Sequence, residues 1–517
     1  MAKRVSIFNE VLGPIMHGPS SSHTAASFNI GSLIRSLLND GPKTVRITFA
    51  EKGSYAEVYH QQGSDLAFAT GLLGWSIIDE RFFEALEEAR TTGMSITFDV
   101  AVLEKDDHPN AIEIYGNSKG GQEIRVNARS IGGGAVELRR LNGWQVAISG
   151  DAYDYLVEAR RSVKEKIIET LTRNDKVLGE PTIMECGDYV LIAIQGLKPL
   201  SGDKLDVLKR IKGVKNVWKT RPIMFPKPGE PIFTSGEEIV RFAEKNGDTL
   251  GEVALAYETA LLGITKEEAI DEMWRRYNIM RDSVERGLSG KFQGMQLLEP
   301  SAQEIFNREK CGSVAIGGLH TRAAARAMAV MHVNSSMGVV CAAPTGGAAG
   351  TIPGVITTLE EEKGLDKDKV TKALFSASAV GLILAIRGTF AAEVAGCQVE
   401  IGAAGAMASA AVVEAAGGLA QQALDAAAIS FQNTMGSPCD LVQGVVEIPC
   451  HTRNAVAASS AFVCADLILG GYQNPIPFDE TINAVMEVGT MLPRELRCTA
   501  LGGLANTPSA RSLRRLK

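Results

Sequence analysis

The stretch from Ala395 to Asn454 opens Ala395-Gly-Cys-Gln-Val-Glu-Ile-Gly-Ala-Ala-Gly-Ala-Met-Ala-Ser-Ala410 and closes Ser437-Pro-Cys-Asp-Leu-Val-Gln-Gly-Val-Val-Glu-Ile-Pro-Cys-His-Thr-Arg-Asn454. Its Ala- and Gly-rich run lacks a polar face, as helices buried all round do, so the C-terminal region around it is predicted to be all-α. Three cysteines, Cys397, Cys439 and Cys450, follow the spacing C-x41-C-x10-C, each beside Gly or Pro where a turn can present a thiolate. Spacing alone leaves two readings open. The plainer is three small core hydrophobes. The other is a cluster held by three thiolates with one metal position free of protein, which suits a Lewis-acid catalyst better than a structural centre.

Working outward, residues 231–517 are expected to form this helical unit. Ser235-Gly-Glu-Glu starts a helix, Val240 to Ala256 and Lys266 to Arg286 follow with amphipathic periodicity, and Gly287 stands where a C-cap belongs. Cys341-Ala-Ala-Pro-Thr-Gly-Gly-Ala-Ala-Gly-Thr-Ile-Pro-Gly354 is a glycine turn entering a helix. It can aim backbone N–H groups and the Thr345 hydroxyl at an anion, or simply allow close packing.

Residues 1–150 are expected to form an α/β domain. Val45 to Ala50 and Ser95 to Val102 alternate as strands do, and Phe82 to Arg90 has helical periodicity. Gly18-Pro19-Ser20-Ser21-Ser22-His23-Thr24 is a hydroxyl-rich turn running into a helix. Its free N–H groups make either a carboxylate nest or an ordinary helix cap. Ser130 to Gly134 reads as a tight turn that lets the backbone approach a neighbour.

Between them, 151–230 is expected to be a small α+β unit, with Glu158 to Thr172 helical, Tyr189 to Ile194 a strand, Lys204 to Ile211 a helix and Val214 to Lys219 a strand. Phe225-Pro-Lys-Pro-Gly-Glu-Pro231 closes it as a linker.

The chain of 517 residues is 45% apolar and 22% charged with net charge −7, a balance that argues against broad nucleic-acid or anionic-membrane binding. Eight scattered cysteines are not a disulfide framework, and the start shows no hydrophobic signal region. A cytosolic protein with reduced thiols is expected. The basic tail Arg511 to Lys517 reads as a solvated helix end.

The residues around the cysteines resemble the catalytic domain of iron–sulfur-dependent L-serine dehydratases. They are Glu393-Val394, Gly396-Cys397-Gln398, Glu400, Gly402, Cys439-Asp440, Gly444-Val445, Pro449-Cys450 and Arg453-Asn454-Ala455. Ala343, Pro344, Thr345, Gly347, Gly350 and Pro353 match the family's A-P-T-x-G-x-x-G-x-x-P segment. Gly18 to Thr24, Gly53-Ser54-Tyr55-Ala56-Glu57, His108-Pro109-Asn110 and Ser130 to Gly134 resemble its small domain.

The resemblance implies dehydration and deamination of a small β-hydroxy amino acid, L-serine to pyruvate and ammonia. It implies a 4Fe–4S cluster on Cys397, Cys439 and Cys450, with the open iron as Lewis acid. It suggests His23, Ser22 and Thr24 as catalytic residues, with His23 as base or acid. Ser20, Ser21, Gln62, Asp65, Thr345, Gly346 and Gly347 are the expected substrate-binding set. The 151–230 unit is weakly similar to the ACT (amino-acid-sensing) domain of some relatives, with a structural spacer as the alternative. A homo-oligomer, a dimer, is expected, with a small amino acid as substrate.

Where the family has Gly-His-Gly-Thr-Asp this chain has Gln61-Gln62-Gly63-Ser64-Asp65, so Gln62 takes the histidine's place and cannot accept a proton at neutral pH. Arg387, Ala391 and Leu441 also depart from the pattern. Another β-substituted acid (threonine, cysteine or a hydroxy acid) stays open as substrate, as do an inactive iron–sulfur sensor and a cluster-free scaffold. Cys341 and Cys464 read as core, and Cys186, Cys311 and Cys498 lack ligand-like surroundings. Pyridoxal phosphate is set aside because Lys291, Lys310 and Lys363 stand in no Schiff-base context.

Overall fold

In the computed structural model Ile401–Ala415 is a helix whose residues from Ile401 to Val413 are all buried. It packs against Lys367–Arg387, Ala420–Thr434 and Cys450–Leu469. Methyl and hydrogen side chains let these helices come close: a β-carbon on Gly405 would lie 3.4 Å from that of Ala457. The structure describes residues 3–39, 41–104, 108–173, 177–201, 203–290 and 294–516; Lys291 falls outside them. Lys367–Arg387 is long and apolar enough to cross a membrane, but 83% of its apolar window is buried in this helical core.

The strands are β1 (Ile15–His17), β2 (Pro42–Ala50), β3 (Ser95–Ala101), β4 (Ala111–Ser118), β5 (Glu123–Gly132), β6 (Ala135–Leu141), β7 (Trp144–Ile148), β8 (Tyr153–Arg160), β9 (Val177–Cys186), β10 (Tyr189–Gly196), β11 (Val214–Lys219) and β12 (Val339–Cys341). Six form the N-terminal sheet, in order β3-β2-β4-β5-β6-β7, with only the β2–β3 pair parallel. Alternation gives it one apolar face, on which Ile112, Ile114, Ile124, Val126 and Leu138 pack against Ile30, Leu33, Ile34 and Leu37 of the helix Ala26–Leu37. The chain turns from β5 to β6 at Gly133 and Gly134, both at positive φ, which is the tight turn expected there.

The middle sheet is fully antiparallel, in order β11-β8-β10-β9, with helices Lys164–Thr172 and Lys204–Arg210 on one face. Leu156, Leu191 and Trp218 on its other face join the N-terminal core. This is a βαββαβ connection, which is a topology and not evidence of an amino-acid sensor. The helix expected over Glu158 to Thr172 begins only at Lys164. Residues 153–160 instead form a central strand, because both of its edges are paired and cross-strand partners outweigh helical periodicity.

Two other expectations are corrected. Val240 to Ala256 is not one helix: Gly236–Asn246 ends at Gly247 in the left-handed region, and Thr249 and Glu252 build a capping box that starts Leu250–Leu262. Gly287 is no cap, since Lys266–Leu288 runs through it. It is a packing glycine whose β-carbon would fall 2.1 Å from the Ala329 carbonyl oxygen on the crossing helix.

The element that positions the site is the smallest. β1 pairs antiparallel with β12, Ile15 opposite Cys341 and His17 opposite Val339. Asn334 adds a hydrogen bond from its amide to the Pro19 carbonyl, 3.0 Å long. Through these contacts the Gly18–Thr24 turn is fastened beside the Thr345–Gly350 turn.

Candidate active site

Cys397 opens a short 3-10 turn behind Gly396, Cys439 lies on a loop, and Cys450 is the first residue of Cys450–Leu469. They converge in one small core cluster, 3%, 3% and 5% exposed. Arg453, one turn after Cys450, brackets Cys439. Its guanidinium donates to the Pro438 carbonyl (2.7 Å) and pairs with the Asp440 carboxylate (2.9 Å). Asn454 joins this helix to the Thr345 turn, donating to the Gly347 carbonyl and accepting from the Gly350 and Thr351 N–H groups.

Burial pushes the Cys397 thiol up to about 12 and that of Cys450 well above the usual thiol range, and the neighbouring Cys498 thiol together with burial raises Cys439 likewise. Thiols so placed ionise only if a strong positive centre joins them, and soft sulfur donors suit iron–sulfur clusters. Among the described residues no three His, Cys, Asp or Glu side chains are grouped as a single ion would need them. The fit to a cluster therefore rests on three buried thiols brought into one apolar core cluster.

Ser20 caps a short helical turn, Ser21–Ala25, and accepts from the His23 N–H. The partners of the His23 ring fix its tautomer. Ser54 donates to Asn110 Oδ1, and Asn110 donates to Glu393 Oε1 at 3.0 Å, so the Ser54 oxygen is left to accept from His23 Nε2 at 2.9 Å. Nδ1 then carries the lone pair, 3.1 Å from both the Ser20 and Ser22 hydroxyls. Burial holds the imidazole down to about 4, so it is neutral at pH 7.

The hydroxyl-rich turn and the glycine turn touch: the Gly346 N–H donates to Ser21 Oγ at 3.3 Å. Thr345 Oγ is buried without a well-formed hydrogen bond and interacts with the Glu400 carboxyl, whose protonation burial pushes up to about 8. Gly347 is open on the side facing Glu400 and Thr345. Gln62 is buried. Its amide reaches the Gly444 carbonyl at 3.4 Å on the loop between Cys439 and Cys450, while its Oε1 has no partner.

Two expected residues face elsewhere. The Thr24 hydroxyl is spent on the Gln62 carbonyl (2.7 Å), and Asp65 is paired with the exposed His60 (2.7 Å). Arg387 lies beside Asp479, Ala391 meets Gly132, and Leu441 is buried with the cysteines.

Three residues were quoted in the sequence patterns without a role: Ser54, Asn110 and Glu393. They form the chain that orients His23, and only the fold reveals it. The loop after Pro493 carries Cys498 back to Cys439, which its neighbours in sequence do not show: the Cys439 N–H donates to the Leu496 carbonyl and the Cys498 N–H to the Cys439 carbonyl, each 2.8 Å. Cys341 and Cys464 are buried in the main core as expected.

The model of the serine dehydratase alpha chain family matches residues 162–505. A probable L-serine dehydratase alpha chain of Bacillus subtilis is 36% identical over 282 residues, which is 54% of this chain and 94% of the relative. The Latilactobacillus sakei protein of the same description is 45% identical over 188 residues, 36% of this chain and 90% of that one. A probable L-serine dehydratase beta chain of B. subtilis is 39% identical over 146 residues, covering 28% of this chain and 64% of the beta chain.

Proposed function

Because the chain belongs to the serine dehydratase alpha chain family and carries a beta-chain-like region on the same polypeptide, we propose that it dehydrates and deaminates L-serine to pyruvate and ammonia. The observation that carries this reading is the meeting of three elements in one buried pocket: the hydroxyl turn, the Thr345 turn and the three thiols.

Cys397, Cys439 and Cys450 would hold a 4Fe–4S cluster, which when bound supplies a Lewis acid for the departing hydroxyl. The rest falls to the protein's own groups. The Gly347 N–H, with the Ser20 and Ser21 turn, holds the substrate carboxylate, while the Gly346 N–H fastens the two turns through Ser21 Oγ. Gln62 Oε1, an acceptor without a donor, takes an N–H of the substrate ammonium.

His23 takes up the α-proton at Nδ1, directly or through the Ser22 hydroxyl beside it. Ser54, Asn110 and Glu393 hold the ring in that tautomer. Thr24 positions the Gln62 loop, and Asp65 acts only through His60. The middle unit is a spacer or sensor outside this chemistry. The presence of Gln62 where relatives have histidine favours one second reading, a different β-substituted acid bound in the same pocket.

The test is anaerobic purification, iron and sulfide analysis, then L-serine addition with pyruvate measured. Cluster and pyruvate together support the proposal. Cluster without pyruvate moves the enzyme to threonine, cysteine or hydroxy acids. Absence of iron and sulfide overturns the assignment of the thiols.

A further inference from the structure

Cys498 stands in this pocket without a part in the reaction. Its N–H donates to the Cys439 carbonyl while the Cys439 N–H donates to Leu496, so the two backbones are locked side by side. In a regular extended bridge the residue after Cys439's partner, Arg497, would point away from Cys439. Cys498 instead has φ of 62°, which turns its side chain back, and that side chain packs against the cluster of Cys397, Cys439 and Cys450.

The arrangement is braced from both sides. Arg497 donates to the Leu492 and Thr490 carbonyls, and Asp440 accepts from the Leu504 N–H. Cys439 is 3% exposed, whereas Cys498 is only half-buried, so a small oxidant meets Cys498 first.

We propose that Cys498 is the oxidation partner of Cys439, closing a disulfide with it when the cluster is lost, at the expense of a peroxide. The role rests on Cys439 being a cluster ligand: while iron holds Cys439, its sulfur is not available. Once it is free, the Cys498 sulfur attacks the peroxide, the O–O bond breaks, and a sulfenic acid and one water form. The Cys439 thiol then displaces the second water as the S–S bond forms. Two thiols and one hydrogen peroxide give one disulfide and two waters. The disulfide keeps Cys439 from further, irreversible oxidation and leaves it recoverable by thiol exchange.

The test begins with anaerobic protein, whose iron and sulfide content is measured first. The cluster is then removed with a chelator, one equivalent of hydrogen peroxide is added, and unreduced tryptic peptides are mapped. The peptide Cys498 to Arg511 contains no other cysteine, but Cys397, Cys439 and Cys450 share the tryptic peptide Gly388 to Arg453, so a second cleavage before Asp425 and Asp440 is used to isolate Cys439 from the other two. A link to Cys439 is expected, with cluster rebuilding blocked until a thiol reductant is added. Cys498→Ser should hold as much iron as wild type before treatment. Given two equivalents of peroxide, one for each oxidation step, it should fail to rebuild even with reductant, because Cys439 passes through sulfenic to sulfinic acid, whereas wild type so treated still rebuilds.

Cys498 found free or bound to Cys397 or Cys450 would overturn the proposal, as would loss of iron from untreated Cys498→Ser. Iron absent from untreated wild type would sink the ligand reading and this role with it. Iron present with Cys498 left free would sink this role alone.

Discussion

Adding one methyl to Gly346 should part the two turns that hold the substrate. The β-carbon of Gly346→Ala would lie 2.8 Å from the Pro19 carbonyl oxygen and 3.0 Å from the Ser21 nitrogen. Both are backbone atoms, so no side chain can swing aside. Restoring ordinary contact at about 3.4 Å moves the turns apart by about 0.6 Å, and overpacking of this kind costs roughly 1–3 kcal/mol. The same movement stretches the 3.3 Å bond from Gly346 to Ser21. A misplacement near 1 Å can cost on the order of 100-fold in rate, so a shift of about half that should lower kcat/KM by roughly tenfold. Gly347→Ala is the matched comparison. Its methyl would sit 3.7 Å from Glu400 Oε2 and 3.9 Å from Thr345 Oγ, an ordinary contact. The fold should accept it with an unchanged Tm, while KM rises because the methyl takes room beside Thr345. Pyruvate formation normalised to iron content, together with thermal denaturation, reads both. Wild-type Tm and kcat/KM in Gly346→Ala would refute the contact between the turns.

Cys439→Ala should lose both iron and activity, whereas Cys464→Ala, in the main core, should keep both; equal losses by iron analysis would undo the ligand assignment. Gln62→Met removes an acceptor with no partner among the described residues and one long bond to the Gly444 carbonyl, so Tm should change little while kcat/KM falls by the equivalent of about 1.5–3 kcal/mol, the scale of a hydrogen bond to a charged group. A stability loss without an activity loss would reverse that reading. The third concerns acid. His23 is held at about 4, against about 6.5 in an unfolded chain. Between those pH values the unfolded state binds the proton that the folded state does not, so His23 stability is fully present above about 6.5 and is lost as pH falls toward 4. The loss reaches about 3 kcal/mol. His23→Gln should flatten the acid limb of urea unfolding midpoints by that amount, and an unchanged limb would show that His23 is not buried neutral.

Much of the helical region was legible because its signals are local. Ser235 and Thr265 cap helices where the sequence reads a start, and the Ala–Gly run of 401–413 is buried on every side. Glu158 to Arg160 misled because charges at 158 and 160, ahead of a charged helix, fit the end of a strand as well as the start of that helix. Only the pairing with β10 and β11 decides. The motifs that build the site could be quoted, but not their mutual contacts. Nothing local says that Asn110 reaches Glu393, 283 residues away, or that Gly346 meets Ser21. Cys498 is the sharpest case. Its neighbours in sequence carry no ligand signature, and its place beside Cys439 comes from a loop returning over Asp440.

The three-residue pairing of β1 with β12 spans 322 residues from His17 to Val339. In B. subtilis the matching regions are described as separate beta and alpha chains, so there the equivalent contact would be an association between molecules. Here it closes within one molecule. Loop-closure entropy grows only with the logarithm of the intervening length, and a tethered partner is present at a fixed effective concentration. The specific activity of this chain should therefore be independent of dilution, and neither half can be titrated away from the other by unequal synthesis.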